Sequence, residues 1–167
     1  MVLAWALIIG AIVVGTVVGL IIANGNKKIF ESGVANKNRP YDFYEQVHTF
    51  KTIVPDLDTM LNVLDRGILS QEGISISKGT NSLVFKNSAG TFTASIKAAG
   101  NSKIEGVQLY KFSLNQWKER NGIIEMSARM DSNVLLTAIE KAFLMLDFNA
   151  VVERTYATDL KTKSSFF

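Results

Sequence analysis

Residues 74–98 read ISISKGTNSLVFKNSAGTFTASIKA, and their apolar side chains fall at alternate positions. Ile74 and Ile76 form one such pair, Leu83 and Phe85 a second, and the run 92–98 extends the pattern. Two polar runs, KGTN at 78–81 and NSAG at 87–90, separate these segments and are typical of turns. A period of two with polar alternate positions predicts antiparallel strands with one face on a core and the other in water.

The same alternation continues to residue 130. It covers Tyr110, Phe112 and Leu114 in one run, and then Ile124, Met126, Ala128 and Met130 in another. Asn121-Gly122 lies between these runs and is a strong hairpin signal. We therefore predict a meander of five strands between Gly73 and Met130.

Helices are predicted on both sides of this meander. Pro55, followed by Asp56 and Asp58, predicts a short helix of about three turns that ends at Gly67. Residues 43–54 fit either a helix or a strand, because their apolar spacing is helical while many of the residues are β-branched.

A long apolar helix is predicted after the meander, capped by Asp131 or Ser132 and running to about Asp147. Its apolar stripe is so broad that the sheet must cover it. Residues 150–157 fit a final strand, and 158–167 a flexible tail. The predicted fold class is α+β: a two-layer domain over 41–157 in which helices pack on one face of an antiparallel sheet of five to seven strands.

This order of elements resembles the helix-grip, START-like domains. The resemblance is one of architecture, carried by a strand at 47–53, a helix opening at Pro55, the meander and the long helix from Ser132. It implies a curved sheet wrapped around the C-terminal helix, often with an apolar ligand between them. The chain continues beyond that helix, where those domains usually end.

The first 23 residues contain no charged side chain. As a helix, residues 2–23 would extend ~33 Å, enough to cross a hydrocarbon core. We predict a transmembrane helix over 1–23 and a juxtamembrane linker, rich in Asn and Gly, over 24–40. A cleaved signal peptide is the alternative, since Ala23-Asn24-Gly25 resembles a cleavage site, but no Lys or Arg precedes the apolar run.

Basic residues follow the predicted span and none precedes it. Lys27, Lys28, Lys37 and Arg39 place the N-terminus outside the cell and the domain in the cytoplasm, so we expect a single-pass protein of the cell membrane. Trp5 on one side and Lys27 and Lys28 on the other are the expected membrane-interface residues.

Two further segments suggest partners besides the bilayer. Small residues recur every four positions in the span and would allow close packing against a second copy or another membrane protein: Ala11, Gly15, Gly19 and Ala23. At the other end, Phe166 and Phe167 could form a short docking tail.

The residue inventory offers little catalytic chemistry. The chain has no Cys and one His, His48, which excludes Cys nucleophiles, Cys-ligated metals and clustered His ligands. We expect His48 to be a surface or half-buried residue. Asp56 and Asp58 suit helix capping better than metal binding. No catalytic, metal or cofactor residue is predicted.

Residues 110–120, YKFSLNQWKER, mix aromatic and basic side chains. Such a strand can stack single-stranded bases, but a period of two would turn Tyr110, Phe112 and Leu114 into the core. Residues 41–167 carry 14 basic and 14 acidic side chains, so their net charge does not favour nucleic acid. Two hypotheses follow: a non-enzymatic interaction or scaffold module tethered to the membrane, or a tethered domain that binds a lipid or other apolar ligand.

Overall fold

A computed structural model of the chain describes residues 27–156. Its architecture is α+β, with a six-stranded antiparallel sheet and helices packed against it. The strands of this sheet lie in the order β2-β3-β4-β5-β1-β8: Gln46–Thr52 (β1), Ile74–Gly79 (β2), Ser82–Asn87 (β3), Phe92–Asn101 (β4), Gln108–Trp117 (β5) and Val151–Tyr156 (β8). Glu119–Arg120 (β6) and Ile123–Ile124 (β7) form a separate two-stranded ribbon.

Strands β2 to β5 form four of the five predicted meander strands, and the residues with a period of two line the core face of these four. Phe85 lies opposite Ala94, and Ile96 lies opposite Phe112, with all four side chains fully buried. Most alternate positions on the other face are polar or lysine, with apolar exceptions such as Val84 and Leu109. The alternation of apolar and polar residues in the sequence thus predicts correctly which residues face the core.

The segment 43–54, left open from the sequence, is a 3-10 turn over Phe43–Glu45 followed by strand β1. Burial alternates along β1, with Phe50 inside and Lys51 partly exposed. The strand pairs with β5 on one side and β8 on the other. Its β-branched residues therefore decided the outcome over the helical spacing.

Two short helices follow β1: Leu57–Val63 (α1) and Arg66–Gln71 (α2). Asp56 caps α1, accepting a hydrogen bond from the Thr59 N–H at 2.7 Å, as its position predicts. The prediction that this helix continues to Gly67 is wrong. Asp65 instead accepts from the Ile68 N–H at 3.0 Å and caps a second helix, because a carboxylate side chain competes with the helical backbone pattern.

Helix Met126–Leu146 (α3) begins earlier than predicted. The predicted strand ends at Ile124, and Asp131 and Ser132 lie inside the helix instead of capping it. No β-branched residue occurs between Glu125 and Asn133, whereas Met, Ala and Arg in this stretch favour a helix.

The hairpin predicted at Asn121-Gly122 is present as the ribbon of β6 and β7. Asn121 has φ 56° and Gly122 has φ 74°. Two successive positive φ values suit a two-residue type I′ turn, which Asn-Gly adopts more readily than most dipeptides.

Helix α3 covers the inner face of the sheet. The Phe143 ring stacks on Phe50 and Tyr110, with centroid distances of 4.7 and 5.3 Å, and all three rings are buried. The Tyr110 hydroxyl donates to the Val54 carbonyl at 2.9 Å, so its one polar atom is satisfied. Aromatic rings therefore fill the centre of the layer between helix and sheet.

The final strand predicted over 150–157 is present as β8, at one edge of the sheet. Asp147, at the end of α3, accepts hydrogen bonds from the Thr52 hydroxyl at 2.8 Å and from the Ile53 N–H at 3.0 Å. The Asn149 N–H donates to the same carboxylate at 3.0 Å. One side chain thus fixes the end of α3, the end of β1 and the turn into β8.

Within residues 27–156, no helix is both long enough and apolar enough to cross a bilayer. The predicted span over 1–23 and the predicted tail over 158–167 lie outside the described residues. Both stay predictions.

Candidate functional site

Residues 33–36, part of the predicted linker, lie along α3. Lys141 Nζ donates to the Gly33 carbonyl at 2.6 Å. The side-chain amide of Asn133 bonds both ways with the backbone of Asn36, accepting from its N–H at 3.2 Å and donating to its carbonyl at 3.0 Å. Ala35 is buried. This segment is therefore part of the packed domain.

Arg39, three residues after Asn36, also contacts α3. Its side chain is 1% exposed, and its guanidinium donates to both carboxylate oxygens of Glu140, at 3.0 and 2.6 Å. Further donation goes to Asn133 Oδ1 at 2.7 Å and to Thr137 Oγ1 at 3.1 Å. The guanidinium carbon also lies 5.4 Å from the centroid of the Phe43 ring. Bidentate pairing in a buried setting fixes geometry more firmly than a surface ion pair does.

We call this contact the Arg39 clamp, comprising Asn36, Arg39, Asn133, Thr137 and Glu140. Its three helical members lie at positions i, i+4 and i+7, which share one helix face. In the sequence this is a narrow polar strip on an otherwise apolar helix, and that strip is the one signal that could have located the clamp. Nothing in the sequence marked Arg39 as its partner.

His48 lies beside the clamp and is fully buried, so the expectation of a surface or half-buried residue is wrong. Nε2 lies 3.1 Å from the Phe43 carbonyl, which can only accept, so this nitrogen carries the proton. Nδ1 has no hydrogen-bond partner among the described residues. Burial lowers the pKa of the imidazole to about 4. His48 is therefore neutral near pH 7 and closed off from solvent, which suits packing and not proton transfer to a substrate.

The outer face of the sheet carries an excess of positive charge. Between Ile74 and Trp117 there are five lysines and one carboxylate, Glu105. We call the set Lys86, Lys97 and Lys111 the lysine face, because all three alternate with buried core residues and are exposed. None of the three forms an ion pair with another described residue. The neutral net charge of the folded part therefore conceals a strong asymmetry.

Two lysines of this face lie directly opposite each other. Lys97 on β4 pairs in register with Lys111 on β5. On its other side, Lys111 pairs with Thr49 of β1. Like charges in this arrangement are destabilising, because each raises the potential at the other. On β1 the pattern changes, since Lys51 forms a 2.5 Å ion pair with Glu153 of the neighbouring edge strand β8. The uncompensated charge is thus confined to strands β3 to β5.

The aromatic side chains of residues 110–117 are unavailable for stacking on bases. Tyr110, Phe112 and Leu114 are buried, as predicted, and Trp117 is buried as well. The Tyr44 ring packs edge-on against Trp117 at 5.2 Å. The exposed residues of this stretch are Lys111 and Asn115.

Several carboxylates in the described part of the chain have structural partners, such as Asp58. Asp58 forms a 2.6 Å ion pair with Lys78 across a cleft of about 240 Å³ that also borders Asp56 and Tyr110. Burial raises the pKa of Asp131 to about 6, with a smaller contribution from Glu72. No group of three or more metal-ligating side chains occurs among residues 27–156. The cleft is smaller than a typical ligand pocket and is bridged by its own ion pair.

Of the predicted membrane-interface residues, the structure describes Lys27 and Lys28. Both are exposed on a helical segment over 27–31, where Lys27 Nζ lies 3.7 Å from Glu31. The remaining predicted residues lie outside the described part: Trp5, Ala11, Gly15, Gly19, Ala23, Phe166 and Phe167. Their roles stay predictions.

Comparison with protein-family models, with curated proteins and with solved structures found no match.

Proposed function

We propose that the protein is a single-pass membrane protein whose cytoplasmic α+β domain is a non-enzymatic interaction module for an acidic protein partner. The lysine face carries this proposal. Three exposed cations without ion-pair partners among the described residues, two of them directly opposite, create a positive potential that a carboxylate-rich surface would relieve.

The membrane part of the proposal rests on the sequence. Residues 1–23 are apolar enough to span, and Lys27, Lys28 and Lys37 follow them. Because the clamp fixes residues 33–39 to α3, the domain would sit close to its anchor. Protease added to intact cells should leave the domain uncut, and cell lysis should expose it. Digestion from outside the cell would contradict the cytoplasmic placement.

Binding can be tested with the full chain in nanodiscs of zwitterionic lipid and a fluorescent peptide rich in Glu and Asp. We expect binding that weakens as salt rises, because the contact is electrostatic. Charge reversal at Lys97→Glu with Lys111→Glu should lower the affinity at least tenfold. Arg120→Glu is the matched control, since Arg120 is exposed on the β6–β7 ribbon, away from the lysine face.

The outcomes separate clearly. A tenfold loss in the double variant with no change in the Arg120 control supports the lysine face as the binding surface. Equal binding by all three proteins would overturn that role. Stronger binding of a single-stranded oligonucleotide than of the peptide, lost in the same double variant, would replace an acidic protein by nucleic acid.

The alternative function is a tethered domain that binds a lipid or other apolar ligand. It rests on the resemblance to helix-grip domains, which implies a ligand between sheet and C-terminal helix. Against it, Phe50, Tyr110 and Phe143 stack in that layer and are buried. Native mass spectrometry of a fragment starting at Lys27 tests this alternative. Reproducible co-purification of a lipid with the fragment would favour ligand binding, and its repeated absence counts against it.

A further inference from the structure

An apolar patch is exposed where α3 ends. Phe148 is 91% exposed, Met145 73% and Leu144 49%. Isolated exposed apolar residues are common, but three within five positions at one helix end form a local concentration. We call these three residues the α3 patch.

The α3 patch adjoins the place where the chain enters the domain from its N-terminal side. Lys141, Leu144 and Met145 share a helix face because they lie at positions i, i+3 and i+4. Lys141 holds the Gly33 carbonyl, and Met145 lines a shallow pocket together with Val34. The first packed residues of the domain therefore lie within about one helical turn of the patch.

Chain length limits how far this region can lie from the predicted span. Gly33 lies ten positions after Ala23, where the span is predicted to end. Residues 27–31 are helical. With ~1.5 Å per helical residue and at most ~3.4 Å for each of the others, the separation is at most about 25 Å. With this span, the point where the chain enters the domain, and the α3 patch beside it, would lie within about 25 Å of the membrane end of the helix.

We infer that the α3 patch rests in the interfacial region of the bilayer to which the chain is anchored. This inference rests on the proposed membrane anchor. Phe and Met side chains gain free energy from leaving water at the acyl boundary, while Lys27 and Lys28 follow the predicted span closely enough in the chain to reach the headgroups. The lysine face, on the opposite side of the sheet from α3, then faces the aqueous phase.

The chain contains no cysteine, so one introduced cysteine gives a unique probe site. The experiment uses the full chain in phosphatidylcholine vesicles with 30% phosphatidylglycerol, some containing a nitroxide-labelled lipid, and a fluorophore on Asn149→Cys. Asn149 is exposed beside Phe148, so the patch stays intact. The reference probe is Ile104→Cys, on the connection between β4 and β5, where Ile104 is 66% exposed.

We expect the nitroxide lipid to quench the probe at residue 149 at least threefold more than the probe at residue 104. Combining Met145→Ser with Phe148→Ser should lower quenching at 149 to the level at 104. Ile104→Ser, which removes an equally exposed apolar residue elsewhere, should leave quenching at 149 unchanged. Circular dichroism of each variant verifies that the domain is folded.

Three results would overturn the inference. Equal quenching at both sites would show that the α3 patch stays in water. A probe at 149 that is shielded from a water-soluble quencher but not reached by the nitroxide lipid would mean that a second copy covers the patch. Failure of the chain to float with vesicles would overturn the anchor itself, whereas flotation with equal quenching rejects only the seating of the patch.

Discussion

Two ionisable side chains, the buried His48 and the half-buried Asp131, have pKa values displaced in opposite directions. Burial lowers the pKa of His48 to about 4 and raises that of Asp131 to about 6, because it disfavours the charged form of each group. The two titrations overlap between pH 4 and pH 6. As the pH falls through this range, the His48 titration lowers the free energy of unfolding and the Asp131 titration raises it. In the natural chain the two effects therefore partly cancel.

Single variants should separate the two titrations. As the pH falls below 6.5, unfolded His48 takes up a proton while the folded imidazole resists until about pH 4, so the folded state loses up to about 3 kcal/mol. His48→Gln removes this loss. As the pH is lowered from 7 to 4, the free energy of unfolding of this variant should rise relative to that of the natural chain. Urea denaturation of a fragment starting at Lys27 measures this difference.

Asp131→Asn should show the reverse. Folded Asp131 binds its proton near pH 6 and unfolded Asp131 near 3.8, so the natural chain gains stability over this variant as the pH falls. Because the side chain is only half-buried, solvent screening limits this gain to about 1–2 kcal/mol. Stability curves that run parallel to that of the natural chain in both variants would contradict the assigned burial effects.

At the scale of elements, Asp147 connects three of them. We predict that Asp147→Ala weakens the pairing of β8 with the sheet and leaves strands β2 to β5 folded. The reason is that Thr52, Ile53 and Asn149 all lose their hydrogen-bond acceptor. The expected loss is about 2 kcal/mol. Hydrogen exchange should show faster exchange in β8 and unchanged protection in β3 and β4.

Asp58→Ala is the matched control, since it removes a carboxylate whose ion pair with Lys78 is exposed. Surface pairs of this kind contribute less than about 1 kcal/mol. Uniform acceleration of exchange across the sheet in Asp147→Ala would contradict a local role for this residue.

Elements with a simple period were the ones that the sequence predicted well. Leu83, Phe85 and Ile96 alternate with polar residues, and they face the core in the structure. The start of α3 was missed because Ile124, Met126, Ala128 and Met130 also alternate, and only the absence of β-branched residues after Glu125 favoured the helix. The polar strip on α3 is visible in the sequence, but Arg39 could not be predicted as its partner, because a pairing 101 residues apart leaves no local pattern.

For the whole molecule, the Arg39 clamp indicates that the folded domain begins at about Gly33, before the predicted start at Tyr41. We predict that a fragment starting at Tyr41 is less stable than one starting at Lys27 by roughly 3 kcal/mol, because Glu140 loses its bidentate partner inside the protein. The melting temperature should fall by about 10 °C or more. Thermal denaturation followed by circular dichroism measures both values.

A third fragment, starting at Gly33, serves as the control. It keeps Asn36, Arg39 and the Gly33 carbonyl that Lys141 holds, so it should match the fragment starting at Lys27. If all three fragments melt at the same temperature, the clamp adds nothing to stability, and the boundary at Tyr41 would be the better one.

Two long-range contacts, the clamp and the hydrogen bond from Tyr156 to Asp42, also delay the completion of folding during translation. Arg39 leaves the ribosome 101 residues before Glu140, and Asp42 leaves 114 residues before Tyr156, whose hydroxyl donates to it. At about 5–20 residues per second, translation delays the first of these contacts by roughly 5–20 seconds. If the apolar N-terminus enters the membrane first, the domain completes its fold beside the bilayer, with its earliest and latest residues joined last.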